Sequence, residues 1–180
     1  MMINAIAHFR TITAHKMLVM KKCFRVGLYK QGLLHDLSKY SWTEFRVGCR
    51  YYEGIRSPNN AEREDIGVST AWLHHKGRNR HHYEYWIDYE SEKKMEALVG
   101  APMPRRYVAE MAMDRISASQ IYNKEKYTNQ MPLQYFLKNK KKLWFVHERT
   151  KRQLEHILTI LAQDGEEAMY DYVKYIFLGK

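Results

Sequence analysis

Two adjacent residues with the chemistry of metal ligands, His35 and Asp36, stand in an apolar run within residues 33–44 (LLHDLSKYSWTE). A neutral imidazole nitrogen and a carboxylate oxygen one step apart can hold two sides of one metal ion, and the carboxylate can also bridge two ions. Aspartate is rarely buried without a partner, so its place among leucines requires either a metal ion or a salt bridge. A salt bridge is the simpler explanation for an isolated His-Asp pair, so the remaining residues must decide.

A single histidine lies on the apolar face of the predicted first helix. Residues of this face recur every three or four positions, as expected for a helix buried along one side: Ile12, His15, Val19, Cys23 and Val26. Taken by itself, His15 fits a hydrogen-bonded core histidine better than a metal ligand.

Four further histidines crowd into nine positions: His74, His75, His81 and His82. The intervening residues 77–79 (GRN) are typical of a break between elements. We therefore expect the first pair to close one helix and the second pair to open the next segment.

Two carboxylates stack on a later helix. Glu110 and Asp114 are four positions apart, which places one above the other on the same helical face. Two acids this close require cations, which either a metal ion or the neighbouring Arg105, Arg106 and Arg115 could supply.

The composition sets the class of protein. A chain of 180 residues, 45% hydrophobic, is expected to form one domain over residues 1–180. No apolar run approaches the roughly 18 residues of a membrane span, and the N-terminus lacks a signal peptide, so we expect a cytoplasmic protein. Cys23 and Cys49 lack the spacing of a disulfide framework or a zinc ribbon.

The net charge indicates the chemistry of the partners. A formal charge of +10 and a pI near 9.5 favour anionic partners, namely phosphorylated metabolites, nucleotides or nucleic acid. A basic surface that is merely solvated explains the charge equally well.

The elements that must position these side chains are all helical. Periodicity and punctuation predict an all-α bundle of about seven or eight helices, without a convincing strand, repeat or low-complexity tract. The predicted helices cover residues 3–30, 33–37, 41–52, 60–76, 149–162 and 166–177, with a further helix from Pro104 and a short one from Pro132. Gly32 ends or bends the first helix, Ser41 and Glu44 form a capping box at the start of the helix over 41–52, and Asp164 and Gly165 end the helix over 149–162.

The order of these residues resembles a known superfamily. Histidine on a helix, then an HD pair, then histidines, then a helical aspartate resembles the HD superfamily of metal-dependent phosphohydrolases, which carries its signature on a helical bundle. The words HDLSKYS, SPNNAERE and AWLHHKGRNRHHYEYW resemble more closely a family of small, uncharacterised bacterial and phage-associated proteins with HD-like folds. That likeness covers roughly residues 8–160.

The resemblance implies a set of metal ligands. His15, His35, Asp36 and Asp114 would form a mononuclear site. Members with two metals add histidines between the HD pair and the last aspartate, with the HD aspartate bridging. Here one residue of each pair, His74 or His75 and His81 or His82, could fill those places. The dinuclear members usually place their middle histidines much farther apart, which leaves open whether one or two ions bind.

The resemblance also implies residues that contact the substrate. Lys39 resembles a lysine that some members place beside the anionic group of the substrate. Arg78 or Arg80 would stabilise the charge on the transferring phosphoryl oxygens.

The remaining expected roles concern protons and orientation. His81 or His82 could protonate the leaving oxygen, and Glu110 is expected to orient the imidazoles. Imidazole and carboxylate ligands suit Mn, Fe, Co, Ni or Zn, bound as one or two divalent ions with open positions for water.

These observations favour a metal-dependent phosphohydrolase that acts on a nucleotide or another small phosphoester. Two alternatives stay open at this point. The first is an iron oxygenase, because some HD folds use a di-iron pair. The second is a non-enzymatic protein that binds nucleic acid through basic helices, which is disfavoured because no recognisable nucleic-acid motif is present. An HD domain that keeps the fold without turnover is a further variant of the main interpretation.

Overall fold

A computed structural model describes residues 2–90 and 98–180 and confirms the predicted all-α class. The described residues form eight α-helices and one small sheet. The helices are α1 (Met2–Arg25), α2 (Tyr29–Leu34), α3 (Trp42–Arg50), α4 (Pro58–Ile66), α5 (Thr70–Lys76), α6 (Arg105–Asn123), α7 (Met131–Asn139) and α8 (Glu148–Asp171), and the strands are β1 (Ile87–Tyr89) and β2 (Leu98–Gly100). Short 3₁₀ turns lie at Leu37–Tyr40, Tyr83–Trp86, Lys124–Lys126 and Lys140–Lys142.

The first helix ends earlier than predicted. Its end at Arg25 is followed by Gly27, whose φ of 73° lies in the left-handed region that terminates helices. Gly32 lies inside α2 and is not the break. A Cβ there would come 3.0 Å from the Cβ of Cys23, so Gly32 allows α2 to pack closely on α1.

The start of a helix at Ser41 is predicted correctly, but the capping interaction predicted there does not form. Helix α3 follows Ser41, yet the Ser41 side chain forms no cap and its hydroxyl has no hydrogen-bond partner in the described part of the chain. Glu44 is buried and faces histidines of α5, so the capping box predicted here does not form.

The predicted helix over residues 60–76 is two helices. Gly67, with φ of 81°, ends α4, and Ser69 starts α5 by accepting a hydrogen bond from the Trp72 amide. Gly77 follows α5 where a break was expected.

The small sheet was missed in the sequence. Strands β1 and β2 pair antiparallel over three residues each, with Ile87 opposite Gly100. Strands this short carry too few residues for an alternating pattern to be recognised. At Gly100 the backbone passes close to its neighbour, because a Cβ would come 2.3 Å from the Phe145 carbonyl oxygen.

The C-terminal helices follow the prediction closely. Pro104 precedes α6, and Pro132 lies in the first turn of α7. Non-helical backbone at Gly165 (φ 88°, ψ −178°) interrupts α8 at the point where the sequence predicts one helix to end and the next to begin, and a π-helical segment at Tyr172–Phe177 continues the helix.

The hydrophobic core lies between α1, α6 and α8. Val19, Ile116 and Leu158 are fully buried there, and burial of each such side chain contributes about 1.5–3 kcal/mol. Polar residues of α1 and α6 lie together where α2, α3 and α5 meet this pair of helices. None of the described helices combines the length and the apolar character needed to cross a bilayer.

Candidate metal centre

The centre of the site is a break in the helical backbone. His35 ends α2 with extended backbone, and Asp36 adopts left-handed dihedrals (φ 54°, ψ 23°) before the 3₁₀ turn Leu37–Tyr40. Aspartate is one of the few residues that visits this region without large cost. The break turns both side chains inward, where His35 is 1% and Asp36 2% exposed.

A first group of candidate ligand atoms comes from α1, from the backbone break at His35 and Asp36 (the HD break) and from α6. His15 Nε2 lies 2.9 Å from Asp114 Oδ1 and 3.9 Å from Asp36 Oδ2. His35 Nε2 lies 3.4 Å from Asp36 Oδ2 and 3.6 Å from Asp114 Oδ1. One ligand atom from each of these four residues lies within 4.8 Å of every other, so the group could hold a metal ion.

A second group of ligand atoms surrounds the other carboxylate oxygen of Asp36. The Nε2 atoms of His75 and His81 each lie 3.3 Å from Asp36 Oδ1. His82 completes the group, with its Nε2 2.8 Å from the Nε2 of His75. Asp36 is thus shared between two groups, one on each oxygen.

Two buried glutamates fix the orientation of the imidazoles. Glu110 Oε1 lies 3.0 Å from His35 Nδ1 and 3.2 Å from His81 Nδ1. Glu44 Oε2 lies 2.8 Å from His75 Nδ1. A carboxylate accepts the Nδ1–H of a neutral imidazole, which leaves the lone pair on Nε2, directed toward Asp36.

Several polar atoms at the centre have no hydrogen-bond partner, which tests whether these residues fit a metal. In the described part of the chain, Asp36 Oδ1, His35 Nε2 and His81 Nε2 are buried without one. Lone pairs on nitrogen and oxygen that face each other at 3.3 Å repel unless a cation lies between them. These atoms do not have the geometry of hydrogen bonds, so protons on the imidazoles would satisfy them poorly, whereas a metal ion held within each group would satisfy them.

The electrostatics of the two aspartates favour their charged forms. Burial raises the pKa of the Asp36 carboxyl, but the charges of His35 and Lys39 outweigh it and hold the pKa well below its usual range. Burial likewise acts to raise the pKa of the Asp114 carboxyl, but the hydrogen bond with His15 prevails and holds the pKa well below its usual range. Both groups are therefore anionic at neutral pH.

Positive charge beside the carboxylate comes from Lys39. The Lys39 ammonium lies 2.6 Å from Asp36 Oδ2, and this carboxylate raises the pKa of Lys39 against the opposing effect of burial.

A cavity of about 510 Å³ opens onto both groups of ligands. Its wall includes His15, His75, His82 and Asp114 on the metal side, and three cationic side chains, namely Lys39, Arg63 and Arg115. Ligand pockets commonly have this size. Glu44 and Glu84 also line the cavity, and Lys39 is paired with Asp36. The cations there that form no ion pair among the described residues are Arg63 and Arg115, which could bind the anionic part of a molecule placed against the ligand groups.

The structure places the two histidine pairs differently with respect to the ligand groups. His75, and not His74, belongs to a ligand group. His74 instead directs its Nδ1 toward Glu44 Oε1 at 2.6 Å, beside the site. His81 and His82, predicted above all as proton donors, both lie in the second ligand group. Lys39, also predicted, lines the cavity.

The two arginines predicted for substrate binding lie elsewhere. Arg78 is exposed and donates to the His74 carbonyl oxygen, and Arg80 is exposed and contacts Tyr107 and Tyr85. Neither lines the cavity, because the turn after α5 directs both outward while it turns His81 and His82 inward.

Three residues of the site escaped the sequence analysis. Glu44 matches a capping box, so the sequence predicts only a local role for it. Arg63 carries no distinguishing signal in the sequence, and Arg115 is predicted only as a counter-ion for the carboxylates of α6. Arg63 lies 5.5 Å from the Trp72 ring centroid, and Arg115 lies 5.5 Å from that of Tyr83, so aromatic rings hold both guanidinium groups at the cavity wall.

Comparison with known proteins adds a family and no function. No curated protein and no solved structure shows significant similarity to the chain. Residues 4–160 match a family of unknown function (DUF5662). This match spans most of the 180 residues and includes every residue of the two ligand groups, so the chain belongs to that family of unknown function.

Proposed function

We propose that this protein is a metal-dependent phosphohydrolase in which Asp36 and the two groups of residues around it would hold one or two divalent metal ions. The observation that carries the proposal is the sharing of Asp36 between two groups of buried or half-buried side chains. His15 and His35 lie near one of its oxygens, together with Asp114, and His75 and His81 lie near the other, together with His82.

The same arrangement supports a relation to the HD superfamily. In chain order the ligand residues read H…HD…H…HH…D on an all-α fold, which is the order that the superfamily resemblance implies. The short distance in sequence between His75 and His81 does not oppose a dinuclear site. The chain turns at residues 77–79 and brings both imidazoles to the same carboxylate oxygen.

The residues of the cavity suit a phosphoester. When bound, the metal ions would act as Lewis acids and lower the pKa of a coordinated water toward neutral. Lys39, Arg63 and Arg115 face the space where phosphoryl oxygens would lie, and their charges would stabilise the negative charge that builds up there. Glu44 and Glu110 would hold the imidazoles in the tautomer that binds metal. A nucleotide or another small phosphoester is the proposed substrate.

Elemental analysis of the purified protein tests the metal site directly. The wild type is compared with Asp36→Asn, which keeps the size of the side chain and tolerates left-handed backbone. The matched control is Asp164→Asn, at an exposed aspartate of α8. We expect one to two equivalents of Mn, Fe, Co, Ni or Zn in the wild type and the control, and loss of metal in Asp36→Asn.

The metal found then determines the activity assay. Release of nitrophenol from p-nitrophenyl phosphate or bis(p-nitrophenyl) phosphate with that metal would support the proposal. A folded wild type that neither carries nor takes up any of these metals would contradict it. Iron together with oxygen consumption, and no phosphate release, would identify an oxygenase instead.

A further inference from the structure

A second cavity extends the first one away from the ligand groups. It has a volume of about 570 Å³. The two cavities share several lining residues, among them Arg115, Ala118, Tyr122 and Tyr135. We call this second cavity the outer chamber. A substrate bound at the ligand groups can therefore extend past Arg115 into the outer chamber.

The charged residues among those that line the outer chamber are all cations, and its aromatic residues are tyrosines. In the described part of the chain no aspartate or glutamate lines it. Arg56, at its edge, is neutralised by Glu53 and Glu64. Arg115 and Lys138 also line it, and neither has a carboxylate within 4.0 Å among the described residues.

Two tyrosine rings in the outer chamber are accessible to a ligand. Tyr122 is 37% exposed and Tyr135 65% exposed, and both line the chamber. Flat aromatic faces beside unpaired cations suit a ligand that is both aromatic and anionic.

The chain after Lys138 carries further cationic side chains. Lys138 lies in the last turn of α7, and the chain continues into the 3₁₀ turn Lys140–Lys142. Lys141 and Lys142 are exposed, whereas Lys140 is paired with Glu155.

An exposed aromatic side chain follows this turn. Trp144, two residues after it, is 72% exposed. We define the basic track as Arg115, Tyr135, Lys138, Lys141, Lys142 and Trp144. Arg115 and Tyr135 line the metal cavity, Lys138 lines the outer chamber, and the other three residues follow within six positions of Lys138 in the chain.

We propose that the substrate is single-stranded nucleic acid, with one phosphoester at the metal ligands and the following nucleotides on the basic track. This inference rests on the proposed function and names its substrate class. Cations that follow the phosphates, interleaved with aromatic rings that stack on bases, are what a single strand requires. A duplex hides the faces of its bases and would leave the tyrosines and Trp144 unused. The formal charge of +10 agrees with a polyanionic partner.

The chemical step is hydrolysis. A water oxygen forms a bond to phosphorus, the bond between phosphorus and the ester oxygen breaks, and the departing oxygen takes up a proton. The products are a nucleic acid with a free hydroxyl and a phosphate monoester or inorganic phosphate.

Fluorescence anisotropy of labelled oligonucleotides tests the binding. The probe is a ten-nucleotide thymidine strand, titrated with wild-type protein in EDTA so that it stays intact. The variant Lys141→Ala/Lys142→Ala removes two exposed charges of the basic track. The matched control, Lys21→Ala/Lys30→Ala, removes two exposed charges of α1 and α2.

The inference predicts a specific change in salt dependence. Each phosphate contact contributes about 0.7 to the slope of log affinity against log salt for a single strand. We expect Lys141→Ala/Lys142→Ala to reduce this slope by about 1.4 and the control to leave it unchanged. Tyr135→Ala should weaken binding about tenfold, the loss of one stacked base. The duplex of the same length should bind more weakly than the single strand.

Cleavage by the metal-loaded protein separates the two proposals. Lys141→Ala/Lys142→Ala should raise KM for the oligonucleotide and leave hydrolysis of bis(p-nitrophenyl) phosphate unchanged. Hydrolysis of the small ester without binding of the strand would overturn this inference alone. A metal-free, inactive protein would overturn the proposed function, and the inference about its substrate with it. Tighter binding to phosphatidylserine vesicles than to the strand, lost in the track variant, would assign the track to a membrane surface and overturn the inference.

Discussion

Asp36 combines three properties that few residues offer together: it tolerates a left-handed backbone, it has two oxygens that can face different partners, and it is charged. Its left-handed backbone turns the chain between α2 and the following 3₁₀ turn, so that His35 and Asp36 face the same point. Its two oxygens then face different sets of imidazoles. Asparagine would keep the backbone conformation and lose the charge. For this reason Asp36→Asn distinguishes a metal ligand from a residue that only shapes the turn.

Glu110 offers a second test at the scale of single residues. One of its oxygens accepts from both His35 and His81, so its charge raises the basicity of an imidazole in each ligand group. We expect Glu110→Gln to lower metal affinity about 10–100-fold, since an amide oxygen accepts the same hydrogen bonds without the charge. Competition with a chromophoric chelator measures the affinity. Glu155→Gln, which alters a surface ion pair with Lys140, is the control, and an equal loss there would refute the assigned role.

His8 carries a pH dependence of stability that is separate from the metal ligands. Its ring is buried, and its Nδ1 has no hydrogen-bond partner among the described residues. Burial and, to a smaller extent, the charge of Lys39 lower its pKa to about 4. As pH falls below about 6.5, the unfolded chain takes up this proton before the folded one, so the free energy of unfolding decreases. At pH 4.5 this loss amounts to about 2 kcal/mol.

Replacement of His8 should remove this part of the acid sensitivity. We expect the difference in unfolding free energy between pH 7 and pH 4.5 to be about 2 kcal/mol smaller in His8→Gln than in the wild type. Urea unfolding at the two pH values measures it. The same substitution at exposed His156 should leave the difference as it is in the wild type, and an identical pH dependence of wild type and His8→Gln would show the prediction to be wrong.

At the scale of elements, the contact of α1 with α3 positions the carboxylate that orients an imidazole of the second ligand group. Helix α3 carries Glu44, which orients His74 and His75 of α5. Its approach to α1 depends on Gly48, since a Cβ at that position would come 2.0 Å from His8 Nε2. The carboxylate that orients an imidazole of the second ligand group therefore depends on a glycine that contacts no ligand.

Substitution of Gly48 tests this contact. We expect Gly48→Ala to destabilise the protein by about 1–3 kcal/mol, because the buried His8 ring must move and drives α3 away from α1. Gly77→Ala is the control: its Cβ would come no closer than 3.5 Å to another atom, so we expect a change within about 0.5 kcal/mol. Chemical denaturation of both variants decides, and equal stability of the two would mean that α1 and α3 are not held at this distance by Gly48.

At the scale of the whole molecule, the candidate metal centre joins segments that are far apart in the chain. Its ligands come from α1, the HD break, α5, the segment after α5 and α6. A metal that binds only the folded chain stabilises it by mass action, by about 2.7 kcal/mol at 100 times the dissociation constant. For a chain of this size, that corresponds to a rise in Tm of about 5–10 °C.

Thermal unfolding with and without metal checks this expectation. The metal identified by elemental analysis should raise the Tm of the EDTA-treated wild type, and Asp36→Asn should show no rise. An equal rise in both proteins would place the stabilising ion at some other site.

Much of this architecture could be predicted because it depends on local signals. Periodicity identified the helices that carry His15 and Asp114, and glycines and prolines marked most breaks. The predictions were wrong where a residue that fits a local pattern instead makes contacts with a distant part of the chain. Glu44 fits a capping box, yet tertiary contacts with α5 bind its carboxylate. The prediction of one helix over residues 60–76 missed Gly67 for a similar reason, since a glycine inside a helical pattern becomes a terminator only when packing turns the chain there.

The sequence by itself determined the all-α class, and it indicated the types of candidate metal ligand and their order along the chain. These depend on residue identity and on helical period, both of which are local. Only the tertiary structure decided that His75 and not His74 faces Asp36, and that Arg63 and Arg115 line the cavity in place of Arg78 and Arg80. Neighbouring residues of a helix point about 100° apart, so the rotation of α5 against α3 selects one imidazole of a pair. That rotation is set by contacts between distant segments.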